Sequence, residues 1–409
     1  MSNYWKSVAS VLTGATLAQV IPILGSLVIA RIYSPAEFGI FASWLGLVTL
    51  LSVVLSARFE TALAIEPDGE PRRIAVLATL VTACLMALVA GLGVALAMAL
   101  LPELLKGVPW VLVVGAVPTA LALTFAVTWQ SWAAAEGNYR SLSGMRLIQA
   151  ATVTLIQILV GFQFATAGAL AMGHFAGVLI AVVASTWLMP TGRFPAGTCV
   201  SSIIDFWRRH KRFPIFSLPA DSINAAAAQL PVLVVTSRFG AEVGGLLAMT
   251  MKILGAPIGL LGKAVLDVFK RHAATSYRER GECRAEYLRT FKVLLLASLL
   301  FCAVMVPWSE HLFALAFGES WREAGIMAIW MLPVFALRFI ASPLSYMVYI
   351  AGKQHLDLFW QVALLLVTCA SLMLLSGYDV ALQVYSVGYA TLYLVYLGMS
   401  YRFSLGVRN

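Results

Sequence analysis

Apolar runs of helix-spanning length recur along the whole chain, separated by short polar stretches. They lie at roughly 8–30, 38–57, 74–101, 108–134, 147–164, 167–189, 214–237, 243–269, 290–308, 325–350, 358–376 and 380–401. A helix crossing a bilayer core needs about 20 mostly apolar residues, and most of these runs supply them. Their polar positions recur with a helical period, which excludes a membrane β-barrel. The pattern predicts an all-α polytopic membrane protein with twelve transmembrane helices. The longest early connection divides the runs six and six. The expected organisation is therefore a first lobe over 1–195, a linker over 196–212 and a second lobe over 213–409.

Composition agrees: 61% of the residues are hydrophobic, 11% are charged, and the mean hydropathy is +0.88. Loop charge adds orientation. Of the 28 Lys and Arg residues, 21 fall in connections on the side of the N-terminus. Arg31, Lys106, Arg238 and Arg322 fall on the other side, and Lys252, Lys263 and Arg338 lie within spans. Basic loops stay inside, so both termini are expected in the cytoplasm. The net charge of +9 is thus a topology signal spread over many loops, which argues against a nucleic-acid patch. The connections 190–213 and 270–290 are basic enough to lie on anionic membrane lipid. Cys84, Cys199, Cys283, Cys302 and Cys369 form no CxxC pair and read as small buried hydrophobes. No cleavable signal is expected.

The halves repeat. AQVIPILGSLVIARIYSPAEFGIFA in the first span and its exit matches AQLPVLVVTSRFGAEVGGLLA in the seventh. Gln19 pairs with Gln229, Pro22 with Pro231, Arg31 with Arg238, Glu37 with Glu242, and Gly39 with Gly244. Beyond the Glu, an ungapped offset carries span two onto span eight and Arg58 onto Lys263. Both halves start on the same side, so the repeat is parallel, with its axis along the membrane normal.

Lys252 and Lys263 sit in the apolar stretch MKILGAPIGLLGKAVLDVFKRH. Eleven residues of helix put them on one face, about 16 Å apart along the axis. Gly255, Ala256 and Gly259 lie between them, as in the wall of a hydrated cavity. Snorkelling of Lys263 to the surface and a Gly-lined packing face are the alternative readings. Arg338 lies deep in span ten, between Pro333 and Pro343. No span carries an acid clearly at mid-depth, whereas proton relays and cation antiport usually need one. There is no GxxxxGK[ST] loop, no HExxH and no Ser/His/Asp spacing, and the five histidines are scattered. No cofactor and no enzymatic activity are expected. Trp308, Trp321 and Trp360 read as an aromatic belt. Trp129, Trp132, Tyr346 and Tyr349 are weaker candidates for stacking on sugars.

With these segments placed, the chain resembles the polysaccharide-biosynthesis flippases of the multidrug/oligosaccharidyl-lipid/polysaccharide exporter superfamily. The resemblance rests on ARIYSPAEFGIFA (30–42), ARFETALAI (57–65), NYRSLSGMRLIQA (138–150), KRFPIFSLPADSINAAAAQLPVLVVTSRFG (211–240), the run from Lys252 to Phe269, and FGESWREAG (317–325). It implies two pseudo-symmetric six-helix lobes around a central basic cavity in the bacterial inner membrane. The implied cargo is a polyprenyl-pyrophosphate-linked glycan, moved from the cytoplasmic to the periplasmic leaflet by alternating access. Membrane lipids, a polymerase and a chain-length regulator are the implied partners. Lys252, Lys263, Arg338, Arg58 and Gln19 are the expected substrate-binding residues; Gln19 stands where an intramembrane Arg of span one is missing. Arg31, Glu37, Arg238, Glu242, Glu60 and Asp267 are the expected gate or lobe-interface residues. A drug or metabolite antiporter of the same superfamily is the alternative. A membrane-integral glycan polymerase or glycosyltransferase fits less well, because the outer loops are short.

Overall fold

The computed structural model describes residues 2–100, 109–190 and 200–406. Glu103, Lys106, Arg193, Cys199 and Arg408 lie outside the described residues, as do the side chains of Lys6, Lys263 and Asp267. The described chain is helical, without a strand. Its elements are α1 (Ser2–Ile32), α2 (Pro35–Leu55), α3 (Glu70–Leu100), α4 (Trp110–Ala135), α5 (Tyr139–Gly161), α6 (Ala167–Leu188), α7 (Val200–Arg209) and α8 (Leu218–Phe239). They continue with α9 (Ala241–Pro257), α10 (Lys263–Arg280), α11 (Arg284–Phe317), α12 (Arg322–Leu344), α13 (Met347–Ile350), α14 (Gln354–Leu374) and α15 (Tyr378–Ser404).

Among the described residues, ten helical stretches are long and apolar enough to cross a membrane. The shorter apolar stretches Thr16–Ile32 and Phe359–Leu374 occupy the first and eleventh expected positions. The protein is a multi-pass membrane protein.

Local chemistry explains the boundaries. Ser34 caps α2 by accepting from the Glu37 N–H, with Pro35 opening the helix. The same features recur in the second half. Pro22 and Pro231 lie inside α1 and α8, Arg31 and Arg238 in their last turns, and Glu37 and Glu242 in the first turns of α2 and α9. The fifth helix starts earlier than its apolar run. Asn138 caps it by accepting from the Ser141 N–H, so Arg146 stands in the helix and not in the preceding loop. Pro257 lacks an N–H, and the expected single span 243–269 is interrupted after it by a π-turn over Ile258–Gly262. The 270–290 connection is mostly helix: α10 runs on to Arg280, and α11 starts at Arg284. Within 190–213 lies α7, whose basic residues Arg208 and Arg209 occupy its last turn and whose Phe206 is fully buried.

Packing forms two compact units, Met1–Leu233 and Val234–Asn409. In the first, α5 lies against α1 and α6, while α4 contacts α2, α3 and α6. Polar side chains tie the helices to neighbouring carbonyls: Tyr33 Oη donates to Gln157, Trp44 Nε1 to Leu112, Thr152 Oγ1 to Gly177. In the second unit α12 is central, against α9, α11 and α15, and Thr250 Oγ1 and Ser309 Oγ donate to carbonyls of Ala324 and Gly325.

Burial revises several sequence expectations. Cys84 is exposed on α3. Trp321 is fully buried and does not join an aromatic belt; Trp360 packs on Tyr393 and Tyr396. Trp129 and Trp132 are buried in the core beneath the turn that follows α2, which removes them as sugar platforms.

Gly177 sets the α5–α6 approach, because a β-carbon there would collide with the Val153 backbone. Gly177→Ala should therefore destabilise the detergent-solubilised protein by about 1–3 kcal/mol through overpacking. Gly168→Ala, where the nearest atom is 3.9 Å away, should have no measurable effect. Equal melting temperatures for the two variants would contradict this packing.

Candidate functional site

The helices carry cations at many depths, and the structure sorts them by partner. In the first unit α2 ends at Leu55, and Ala57 and Arg58 both take left-handed backbone (φ 47° and 61°). Two successive non-glycine residues in that region are uncommon and strained. Their surroundings hold them. Ser56 Oγ accepts from the Arg58 N–H, and Thr61 Oγ1 donates to the Arg58 carbonyl. A 3-10 turn, Phe59–Ala64, follows.

The Arg58 guanidinium meets two carboxylates, Nη1 at 2.7 Å from Glu60 Oε1 and Nε at 2.7 Å from Asp221 Oδ2. Glu60 is buried. The structure thus brings Arg58, Glu60 and Asp221 together, and its charge is already matched.

Sequence reasoning missed the larger part of this polar cap. Arg72, 5% exposed, donates from Nε to the Leu63 carbonyl (3.1 Å) and from Nη2 to the Glu66 carbonyl (2.8 Å). Its Nη1 lies 2.6 Å from Asp68 and 3.1 Å from Glu136. One guanidinium therefore closes the whole 63–68 connection onto α3 and α4. Buried Glu66 meets His210 Nε2 (2.6 Å) and Arg209 Nη1 (3.0 Å). Trp207 Nε1 donates to Thr82 Oγ1 (2.9 Å), and Phe206 packs on Phe59. These contacts seat α7 on α3. The only sequence signal was the Asp68–Arg72 spacing, which suits a helical ion pair; the partners at Glu136 and His210 are remote in the chain.

Other expected gate residues are engaged within their own units. Glu37 accepts from the Ala167 N–H and so caps α6. Arg238 donates to the Leu372 and Leu375 carbonyls at the end of α14, with its guanidinium 5.1 Å from the Phe239 ring centre. A cation at a helix C-terminus is favourable. Glu242 is exposed in the first turn of α9, and Arg31 is exposed in the last turn of α1. Gln19 is exposed on α1.

Lys252 and Arg338 differ from the paired cations. Lys252 is partly buried on α9, about 16 Å from the helix start. Arg338 lines a cavity of about 150 Å³ with Ser342, Ser345, Trp360, Tyr393 and Tyr396. Among the described residues no carboxylate pairs with either of them. The cavity wall is braced: Tyr396 Oη donates to Asp357 (3.0 Å) and Trp360 Nε1 to the Leu392 carbonyl (3.1 Å). Tyr346 and Tyr349, named earlier as sugar platforms, are stacked at 5.5 Å, with Lys270 Nζ 4.6 Å from the Tyr346 ring centre.

A family model described as polysaccharide biosynthesis protein matches residues 28–325. The teichuronic acid biosynthesis protein TuaB of Bacillus subtilis (strain 168) is 24% identical over 160 residues, 39% of this chain. The match spans 33% of that relative's length. The fold is similar to that of the lipid II flippase MurJ in an inward closed conformation: TM-score 0.73, 12% identity, 96% of this chain and 87% of that one. It is also similar to an outward-facing multidrug resistance MATE family transporter of the MOP superfamily: TM-score 0.55, 14% identity, 98% and 94% coverage. At such identities the likeness concerns the fold.

Pairing makes a stability prediction. Arg72→Met strands two carbonyls and leaves the Glu136 carboxylate without its cation, and should cost about 1–3 kcal/mol. Lys252→Met removes a partly buried charge and Arg338→Met an exposed one, neither with a carboxylate partner among the described residues, so melting temperature should hold or rise. Destabilisation by Lys252→Met as large as by Arg72→Met would show that Lys252 is a paired structural cation.

Proposed function

The chain belongs to the polysaccharide biosynthesis protein family, and we propose that it is a flippase for a polyprenyl-pyrophosphate-linked glycan. It moves the glycan from the cytoplasmic to the outer leaflet of the bacterial inner membrane, with both chain termini in the cytoplasm. It makes and breaks no covalent bond. Two six-helix lobes, 1–195 and 213–409, joined by 196–212, would alternate access to a basic cavity.

The observation that carries this reading is the presence of Lys252 and Arg338 within membrane spans with no carboxylate, among the described residues, to neutralise them. An unpaired charge in a span is costly, and a protein keeps one where it faces a ligand or water. A pyrophosphate head brings the missing negative charge, and its burial is in turn compensated by the cations. Lys263, next to the π-turn, belongs to the same proposal, with Gln19 as a neutral contact to the glycan. Arg58 would act at the inner mouth only when its two carboxylates release it. With the cell interior negative, outward movement of the anionic head is downhill by about 2.3 kcal/mol per charge per 100 mV.

In a strain lacking the gene, Lys252→Ala and Arg338→Ala should reach the membrane at normal levels yet fail to restore surface polysaccharide. Full restoration by both would sink the cation assignment. Orientation is tested separately on a cysteine-free background. External thiol reagent should label a cysteine at Glu319 and leave one at Arg278 unmodified; strong labelling at Arg278 would invert the topology.

A further inference from the structure

Arg146 is a third cation within a span. It stands seven residues into α5, about 10 Å from the helix start, and is partly buried. Among the described residues it makes a single hydrogen bond, from Nε to Gln130 Oε1 on α4 at 3.4 Å. Gln130 Nε2 donates in turn to Gln149 Oε1 at 2.8 Å. Gln149 is three residues beyond Arg146, on the same face of α5.

The direction of this chain follows from chemistry. A guanidinium has only N–H donors, so the Gln130 atom facing it must be oxygen. The Gln130 atom left to face Gln149 is then the NH₂ group, and Gln149 must answer with its oxygen. Both amide acceptors are used internally. What remains is the Gln149 NH₂ and the unused guanidinium N–H groups, a cluster of donors with one positive charge. Nothing in hydrocarbon satisfies such a cluster, and a carboxylate partner is absent among the described residues. Each group is only partly buried.

We infer that Arg146, Gln130 and Gln149 form a second anion-binding site, within the N-terminal unit, for a negatively charged group of the transported glycan lipid. This rests on the flippase reading. The pyrophosphate and an acidic sugar carry the same oxyanion chemistry, and the site's donors suit either. Gln130 acts as the positioning residue: it holds the guanidinium at Nε and engages the Gln149 amide oxygen, which leaves the other donors of Arg146 and Gln149 for a ligand.

The test uses the full chain in nanodiscs, with binding of sugar-free polyprenyl pyrophosphate, polyprenyl alcohol and free glucuronate measured separately. Arg146→Gln should weaken at least one of the two anions by about tenfold or more, the loss expected for a charged hydrogen-bonding group, and leave the alcohol unchanged. Gln149→Leu, which keeps the charge and removes one donor, should give a smaller loss for the same anion. Loss confined to pyrophosphate assigns the site to the lipid head; loss confined to glucuronate assigns it to an acidic sugar. Melting temperature is read alongside: a drop with unchanged anion affinity means a structural brace and overturns the inference. Wild-type affinity for both anions in Arg146→Gln also overturns it while the flippase reading stands. A wild-type chain that binds neither anion overturns both.

Discussion

A lysine or arginine in a bilayer must find a carboxylate, a fringe of carbonyls or water, because hydrocarbon offers nothing in exchange for lost hydration. Much of the polar architecture follows from how each cation meets that demand. Arg72 is surrounded: it donates to two carbonyls and lies against two carboxylates, which offset the cost of its burial. Arg238 uses the carbonyls that α14 leaves unpaired at its end. Arg58 uses Glu60 and Asp221. In this structure all three are held by the fold. Among the described residues Lys252, Arg338 and Arg146 pair with no carboxylate, and on the flippase reading that difference marks them as candidates for the site.

The paired cations also explain how strained backbone is tolerated. Left-handed Ala57 and Arg58 lie between the end of α2 and a 3-10 turn packed over Trp129 and Trp132. Strain of this kind persists only where surrounding contacts over-determine it. Here the Ser56 and Thr61 hydroxyls fix the backbone, and the Glu60 and Asp221 carboxylates fix the side chain. The Glu66 contacts with Arg209 and His210 then extend the same cap to α7, so one polar layer closes an end of the N-terminal unit.

The helices were legible because hydropathy and capping act locally. Twelve apolar runs, the Ser34-Pro35 cap and the paired prolines of α1 and α8 need no tertiary information. Errors arose where a single residue changed local rules: Asn138 moved the start of α5, and Pro257 inserted a π-turn into a run that looked continuous. The site was less legible, because whether a cation is neutralised depends on distant partners. Glu136 reaches Arg72 across 64 positions, and Asp221 reaches Arg58 across 163. Hydropathy alone could rank Lys252 and Arg338 as unusual, but it placed Arg146 in a loop.

For a carrier of an anionic lipid, few unpaired cations serve better than many. Every fixed positive charge deepens the well that the head group must leave, and transport needs release as much as capture. Cations matched by carboxylates create little net field, so the scaffold can be rich in arginine without trapping the cargo. A site built from one guanidinium and neutral amides, as at Arg146, offers hydrogen-bond donors at the cost of a single charge. Among the described residues Lys252 and Arg338 likewise pair with no carboxylate. On the flippase reading, this economy lets the membrane potential, worth a few kcal/mol for a doubly charged head, compete with binding and drive the anion outward.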